Sequence, residues 1–455
     1  MQRDAMAGLI EWKTSTNRKP LVLNGARQVG KTWLLEEFGR LHYKKVAYVL
    51  MSENHRMKRL FEGTNDAKVL ITGLEAEVGF SIQPGGTLIV LDEIQEVPKA
   101  LSALKFFCEQ APDYHIVVAG SMLGVALHKG VSFPVGKVDS LTMYPMTFSE
   151  FTLAIKSEHF AELLEARSQE LEDSFHSSFV DLLRQYLLLG GMPEVVNSFA
   201  EDGDYHKARS IQKQILLDFE RDFSKHAPVN VVPRIRMVWN SMPSQLAREN
   251  KKFLYGLIRK GGRAKDFELA IQWLVDAGLL LRIQRVNKVG VPLKHYEDLS
   301  AFKLFLLDVG LLGALSNLDP LLVLEEDKLL TEFKGAYTEQ YVAEQLATTN
   351  LPLSYYSSDD SKVELDFVTE IGGTPIPIEV KSATSLHSKS LSHFVNKYDV
   401  KSAIKFSLQK RSRSGAIANE PLYLSEFIEQ LVEARRIELR SISAYQKASP
   451  GSVID

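Results

Sequence analysis

Three groups of residues have types and spacings that could do chemistry. The first is Gly25-Ala26-Arg27-Gln28-Val29-Gly30-Lys31-Thr32, the pattern GxxxxGK[ST] of a P-loop. In such a loop successive backbone N–H groups wrap a phosphate at a helix N-terminus. The glycines permit the wrap, while the Lys31 ammonium and the Thr32 hydroxyl serve the β- and γ-phosphates and Mg²⁺. The apolar run Leu21–Asn24 before the loop reads as a buried strand, and Trp33-Leu34-Leu35-Glu36-Glu37-Phe38 reads as a helix after it. Gly25 to Thr32 with Trp33 are therefore the expected nucleotide-binding positions, and ATP with Mg²⁺ is the expected ligand. The plain alternative, a Gly-rich turn with a solvated lysine, leaves that strand–loop–helix context unexplained.

The second group is Thr87-Leu88-Ile89-Val90-Leu91-Asp92-Glu93, an apolar strand ending in two carboxylates. Asp92 is expected to share the Mg²⁺ with Thr32, and Glu93 to orient or deprotonate the attacking water. A strand ending in Asp-Glu is on its own more often a solvated loop; its place after a P-loop reverses that. The strand His115–Ala119 ends in Gly120-Ser121, where Ser121 could sense the γ-phosphate or simply turn the chain. Two candidate strands, Val46–Met51 and Thr87–Leu91, follow the P-loop before the acidic pair. Together with Glu93 this is the layout of ATPases with an added central strand, not of kinases.

The third group has the form D…ExK: Glu364-Leu365-Asp366-Phe367-Val368, then Pro377-Ile378-Glu379-Val380-Lys381. In the PD-(D/E)XK nuclease fold two such acids share a Mg²⁺, and the lysine stabilises developing charge or tunes the water. Strand alternation puts Glu379 and Lys381 on one face. Glu339, on a preceding helix, matches the extra helical carboxylate of such folds. Asp366 and Glu379 are thus candidate Mg²⁺ ligands, with Glu339 and Lys381 completing a candidate nuclease-like site. On its own an ExK is more often a solvent-facing charged strand, the αβββαβ order being what favours the nuclease-like reading, and a fold of this type can keep its polar core without cutting anything.

The elements that must position these groups can be read from periodicity. From Leu21 to Met146 short apolar β-rich runs alternate with helical stretches, which predicts a parallel sheet covered on both faces. A helical lid is expected over residues 148–203, closing at Gly190-Gly191-Met192-Pro193. Residues 204–320 read as helix, turn, helix and hairpin, the order of a winged-helix domain, with a helix expected over Lys251–Arg259. Residues 328–440 read as αβββαβ, a restriction-endonuclease-like order. The overall expectation is an α/β chain with a P-loop NTPase sheet at 1–147, the lid, a central winged helix and a C-terminal nuclease-like domain.

Between Arg248 and Lys265 lie Arg248, Lys251, Lys252, Arg259, Lys260, Arg263 and Lys265 against the one acid Glu249. On a winged helix this could contact DNA phosphates. Asp266 and Glu268, at the start of the helix in the recognition position, favour capping and repel phosphate, so a solvated basic face or a domain contact is an equal reading. Globally the 455 residues carry a net charge of −3, with 45% hydrophobic and 24% charged residues, so nothing pulls the whole molecule onto nucleic acid or membrane. The lone Cys108 builds neither a disulfide framework nor a zinc site. No apolar run reaches membrane-spanning length and the N-terminus has no apolar leader-like region, so a cytoplasmic protein is expected.

Several segments together resemble a large prokaryotic group of AAA-type ATPases. They are Leu23–Thr32, Leu91-Asp92-Glu93-Ile94-Gln95-Glu96, Ala119-Gly120-Ser121, Ser132–Val138, Tyr144–Phe151 and Gly190-Gly191-Met192-Pro193-Glu194. The resemblance spans nearly the whole chain. It implies an N-terminal AAA domain that binds and hydrolyses ATP, fused to a C-terminal domain of unknown function 4143. By analogy a basic residue near Gly136 would contact nucleotide or a neighbouring subunit in an oligomer; Lys137 stands there, without the bidentate fork of an arginine. Two functions remain open: an ATP-driven switch acting on DNA, or a nucleotide-dependent scaffold with a silent nuclease-like domain that binds a protein partner. A metabolic kinase has no place for Glu93 or the C-terminal half.

Overall fold

The computed structural model describes residues 2–121, 123–126, 133–248, 251–320, 329–358, 363–382 and 388–437. Ser132 and Glu249, named above, lie outside the described residues, as do 1, 122, 127–131, 250, 328, 359–362, 383–387 and 438–440 of the expected domains.

The N-terminal sheet contains β1 (Leu21–Asn24), β2 (Lys45–Leu50), β3 (Thr87–Asp92), β4 (His115–Ala119) and β5 (Asp139–Thr142). All pairings are parallel and the order is β2-β3-β4-β1-β5. Every residue of β3 and β4 is buried. Successive side chains point to opposite faces, so Leu88, Val90, Val117 and Ala119 join one core while Ile89, Leu91, Ile116 and Val118 join the other. Continuous apolar runs are therefore required: neither face can be left to water. β4 lies between β1 and β3, as the added-strand layout demands. The C-terminal ends of β1, β3 and β4 consequently share one edge, where the crevice of an open parallel sheet binds its ligand.

Helices Phe148–Ile155, Glu158–Ala166, Gln169–Leu189 and Pro193–Asp202 follow β5. The first starts at a capping box: the Thr147 hydroxyl accepts from Glu150 N at 3.3 Å, and Thr147 N donates to Glu150 Oε2 at 3.0 Å. Next come helices Tyr205–His226, Val232–Leu246, Tyr255–Ile258 and Ala264–Asp276, then the hairpin β6 (Leu280–Val286) and β7 (Glu297–Leu306). The helix expected from Lys251 forms only over Tyr255–Ile258. Ahead of it the chain lies along β7, with Phe253 N donating to Phe302 O at 2.9 Å and the two rings stacked at 5.5 Å. Burial of Phe253 and Lys251 outweighs the weak helical preference of a stretch interrupted by Gly256.

The C-terminal part consists of helix Leu329–Ala347, β8 (Leu353–Ser357), β9 (Glu364–Ile371), β10 (Thr374–Val380), helix Lys389–Tyr398 and β11 (Ala403–Ser407). A short polar hairpin, β12 (Ser412–Ser414) and β13 (Ile417–Pro421), adds two strands that the sequence did not announce. β6 pairs parallel with β8, so the hairpin and the C-terminal strands form one mixed sheet, β12-β13-β11-β10-β9-β8-β6-β7. Among the described residues no helix is long and apolar enough to cross a membrane.

Candidate functional site

The P-loop joins β1 to helix Lys31–His42. Gly25 (φ 144°) and Gly30 (φ 94°) take backbone conformations that side chains rarely adopt, and a Cβ on Gly25 would meet Met143 O at 2.3 Å. Gln28 adopts φ 65°. Ala26 and Val29 are buried, whereas Trp33 is exposed on the first turn of the helix. Lys31 is buried along its stem, and its Nζ donates to Gly25 O at 2.8 Å and Ala26 O at 2.6 Å. The ammonium is therefore held within the loop that would cradle phosphate.

Thr32 Oγ1 donates to Asp92 Oδ2 at 2.7 Å across the crevice. A hydroxyl and a carboxylate brought together, both oxygen donors, suit Mg²⁺ at this edge. Tyr48, on β2, donates its hydroxyl to the same Asp92 oxygen at 2.7 Å. Glu93 has φ 52° and its N–H donates to Asp92 Oδ1 at 2.8 Å, so its backbone orientation follows that of Asp92. The Glu93 carboxylate accepts from Gln95 Nε2. Gly120 leaves room for Gln95, since a Cβ there would lie 2.1 Å from Gln95 Oε1. Ser121 is buried and faces, with Gly25 and Ala26, a cavity of about 650 Å³ that reaches Gly278 and Glu344.

Burial pushes the Lys31 ammonium down to about 8, against the attraction of Glu93 and Asp92. ATP must meet the protonated form. Affinity should then be level below pH 8 and fall by up to ~10-fold for each pH unit above it. Equilibrium ATP binding at pH 7 and pH 9 checks this; no change other than that of a Lys31-free control would refute it.

The loop is also held from outside the AAA-like region. Arg27 Nη1 meets Asp222 Oδ1 at 2.5 Å, and Gln28 Nε2 donates to Asp218 Oδ2 at 3.2 Å. Asp218 and Asp222 are four apart on helix Tyr205–His226 and so share a face. At the other side Arg3 donates to Val29 O at 2.7 Å and pairs with Glu150 at 2.9 Å. Tyr48, Gln95, Asp218, Asp222 and Arg3 were not singled out in the sequence. Gln95 stands two residues after Glu93; the others carry no local signal, because their partners are far away in the chain. Lys137, the analogue of a finger residue, pairs with Glu109 at 2.9 Å. It stands two residues before β5, whose start lies beside the start of β1, with Asp139 N donating to Pro20 O at 3.0 Å. That is the sheet edge opposite the P-loop, so Lys137 does not reach this chain's own loop.

The second cluster joins Glu339, Asp366, Glu379 and Lys381 with residues from elsewhere. Glu379, buried on β10, has Oε1 2.5 Å from Lys381 Nζ. Its Oε2 accepts from Ser388 Oγ and, at 3.2 Å, from Leu391 N, capping helix Lys389–Tyr398. Asp366 Oδ2 accepts from Val380 N at 2.7 Å. Lys251 pairs with Glu339 Oε1, and Lys303 Nζ lies 3.8 Å from Glu339 Oε2 and 2.8 Å from Glu364 Oε1. Burial, with the charge of Glu339, pushes Asp366 up to about 7 against the pull of Lys303. Burial would also raise Glu339, but Lys251 and Lys303 outweigh it and hold that carboxylate below its usual range. Among the described residues no three His, Cys, Asp or Glu side chains are arranged to hold a metal. Both Glu379 oxygens and Asp366 Oδ2 already have partners, in a helix cap, a lysine and a backbone amide.

Of the basic residues read as a phosphate surface, Lys251 is buried, while Arg248, Lys252, Arg259, Lys260, Arg263 and Lys265 are exposed. Asp266 caps its helix, accepting from Arg263 N at 3.1 Å. Glu268 accepts from Tyr255 OH at 2.8 Å and pairs with Arg282 at 2.5 Å.

A five-stranded parallel sheet of order β2-β3-β4-β1-β5 with Lys31, Thr32, Asp92 and Glu93 at one edge defines a P-loop NTPase. Residues 17–152 match an AAA domain, 180–322 a domain of unknown function 8612, and 334–424 the domain of unknown function 4143. The chain thus carries an AAA-type ATPase domain in its N-terminal part and domain 4143 in its C-terminal part, the pairing that the resemblance implied. No curated protein matches it. Solved structures similar to it include the Walker-type ATPase PabY2304 of Pyrococcus abyssi, at 14% identity and a TM-score of 0.44 over 69% of this chain and 95% of that one. The ORC1 protein of Aeropyrum pernix in complex with DNA has 16% identity and a TM-score of 0.29 over 70% and 93%. PCH-2 of C. elegans has 12% identity and a TM-score of 0.23 over 47% and 61%.

Proposed function

We propose that the chain is an ATP-hydrolysing switch whose nucleotide site controls the regions C-terminal to it. The observation that carries this reading is the contact of Thr32 with Asp92 at the mouth of the P-loop, with Glu93 next in the chain. Thr32 and Asp92 would hold the Mg²⁺, which screens phosphate charge when bound. Lys31 would neutralise the β- and γ-phosphates, Glu93 would orient and deprotonate the attacking water, and Ser121 would meet the γ-phosphate. The switch would be read through Arg27–Asp222 and Gln28–Asp218, which tie the phosphate loop to helix Tyr205–His226. That helix leads into the winged-helix-like segment, whose exposed Arg259, Lys260, Arg263 and Lys265 favour DNA as the target.

The coupling is tested by hydrogen exchange on the full chain with and without ATP and Mg²⁺. ATP should change protection in helix Tyr205–His226 as well as in the P-loop. Asp222→Asn should remove most of the helix response and alter ATP affinity only a few-fold, since Arg27 is half exposed and such a pair is worth ~1 kcal/mol. An unchanged helix response in that variant would disprove the coupling.

The second reading, a nucleotide-dependent scaffold with a silent C-terminal domain, is favoured by one observation: Lys251 and Lys303 stand on the carboxylates of the nuclease-like cluster.

A further inference from the structure

Lys303, on β7, is 1% exposed, and Lys251, on the extended segment beside β7, is also buried. Ammonium groups are not buried without carboxylates that repay their lost hydration. Here those carboxylates are Glu339, paired with Lys251 and 3.8 Å from Lys303, and Glu364, 2.8 Å from Lys303. The Lys303 Nζ also lies 4.8 Å above the Tyr355 ring on β8. Both lysines come from outside the αβββαβ unit, and both reach the same acidic group within it. A divalent cation at these carboxylates would meet two fixed positive charges at ion-pair distance. It would have to expel both, leaving Lys303 charged and unpaired in a buried position.

We propose that Lys251 and Lys303 take the place of a divalent cation in the C-terminal domain, neutralising Glu339 and Glu364 beside Asp366 and closing the site to metal. The same contacts fasten the segment 251–254 and β7 to helix Leu329–Ala347 and β9. The cluster is a latch between the middle and C-terminal parts of the chain. It requires neither ATP turnover nor DNA binding, although it rests on reading the C-terminal unit as nuclease-like.

The test is titration of the full chain with Mn²⁺ alone, without nucleotide, read by the loss of the free-ion electron paramagnetic resonance signal. Wild type and Asp366→Asn should bind Mn²⁺ identically. The double variant Lys251→Met, Lys303→Met should gain a bound Mn²⁺ that a further Asp366→Asn removes. Mn²⁺ binding by wild type that Asp366→Asn abolishes overturns the proposal. So does a double variant that keeps its circular dichroism and melting transition yet gains no ion. Should the double variant not fold, melting temperatures decide through the milder pair Lys251→Met and Glu339→Gln. Each alone should lower the transition, and the two together should cost clearly less than the sum; simple additivity overturns the latch. ATP turnover in the same preparations reports on the nucleotide site and separates a failure of this proposal from a failure of the switch.

Discussion

Glu93→Gln is expected to lower ATP turnover by ~10²- to 10⁴-fold, the usual contribution of a positioned base, while ATP binding persists. The substitution keeps the size and shape of the side chain but removes its negative charge and its ability to take a proton. Because the Glu93 backbone is fixed by its bond to Asp92 Oδ1 and by φ 52°, the new amide should occupy the same place. The Gln95 amide that donates to the carboxylate can donate equally to the oxygen of Gln at position 93. Lys31, Thr32 and Asp92 are untouched, so the triphosphate should still be held. Steady-state phosphate release together with equilibrium nucleotide binding resolves the two effects. Turnover equal to wild type would remove Glu93 from the chemistry; loss of binding would make it a structural residue.

Gly191→Ala should destabilise the fold by ~3 kcal/mol or more, the upper end for forcing an atom into a packed interior. An added Cβ would lie 2.2 Å from Met146 O, 2.7 Å from Met146 N and 2.9 Å from Tyr186 OH. None of these is the free end of a flexible chain. Met146 N donates to Gly191 O at 2.7 Å, Tyr186 OH donates to Met146 O at 2.6 Å, and Gly191 N donates to the buried Asp308 Oδ2 at 2.6 Å. Movement to relieve the clash therefore breaks bonds among buried groups, each worth ~1 kcal/mol or more once unpaired. Gly63→Ala is the matched control, because a Cβ there meets nothing within 4 Å. It should change stability by no more than ~0.5 kcal/mol. Denaturant unfolding of both variants decides the point, and similar midpoints would refute it.

The nucleotide site was legible because each of its parts is local. β1 and β4 form over the residues that the apolar runs outlined, since a strand covered on both faces admits little else. Loop and acidic pair then fall at the ends of those strands, and the sheet order brings Thr32 to Asp92. Tyr48 and Asp222 were not legible for the opposite reason. Their partners, Asp92 and Arg27, are 44 and 195 residues away in the chain. Lys251 shows the same limit more sharply. In a run of lysines and arginines it reads as a solvated face or as a domain contact, and only the fold shows that it ends on Glu339, 88 residues later. β12 and β13 escaped because the hairpin Ser412–Pro421 is mostly polar and short, without the alternation that marks a half-buried strand. The junction of β6 with β8 escaped because parallel pairing across a long connection leaves no turn residues to announce it.

The most direct test of the account is phosphate release from ATP by the full chain with Mg²⁺, measured for wild type, Lys31→Ala and Glu93→Gln. Wild type should turn ATP over steadily and either variant little or not at all, with ATP retained by Glu93→Gln and released by Lys31→Ala. Equal rates in all three proteins would contradict it.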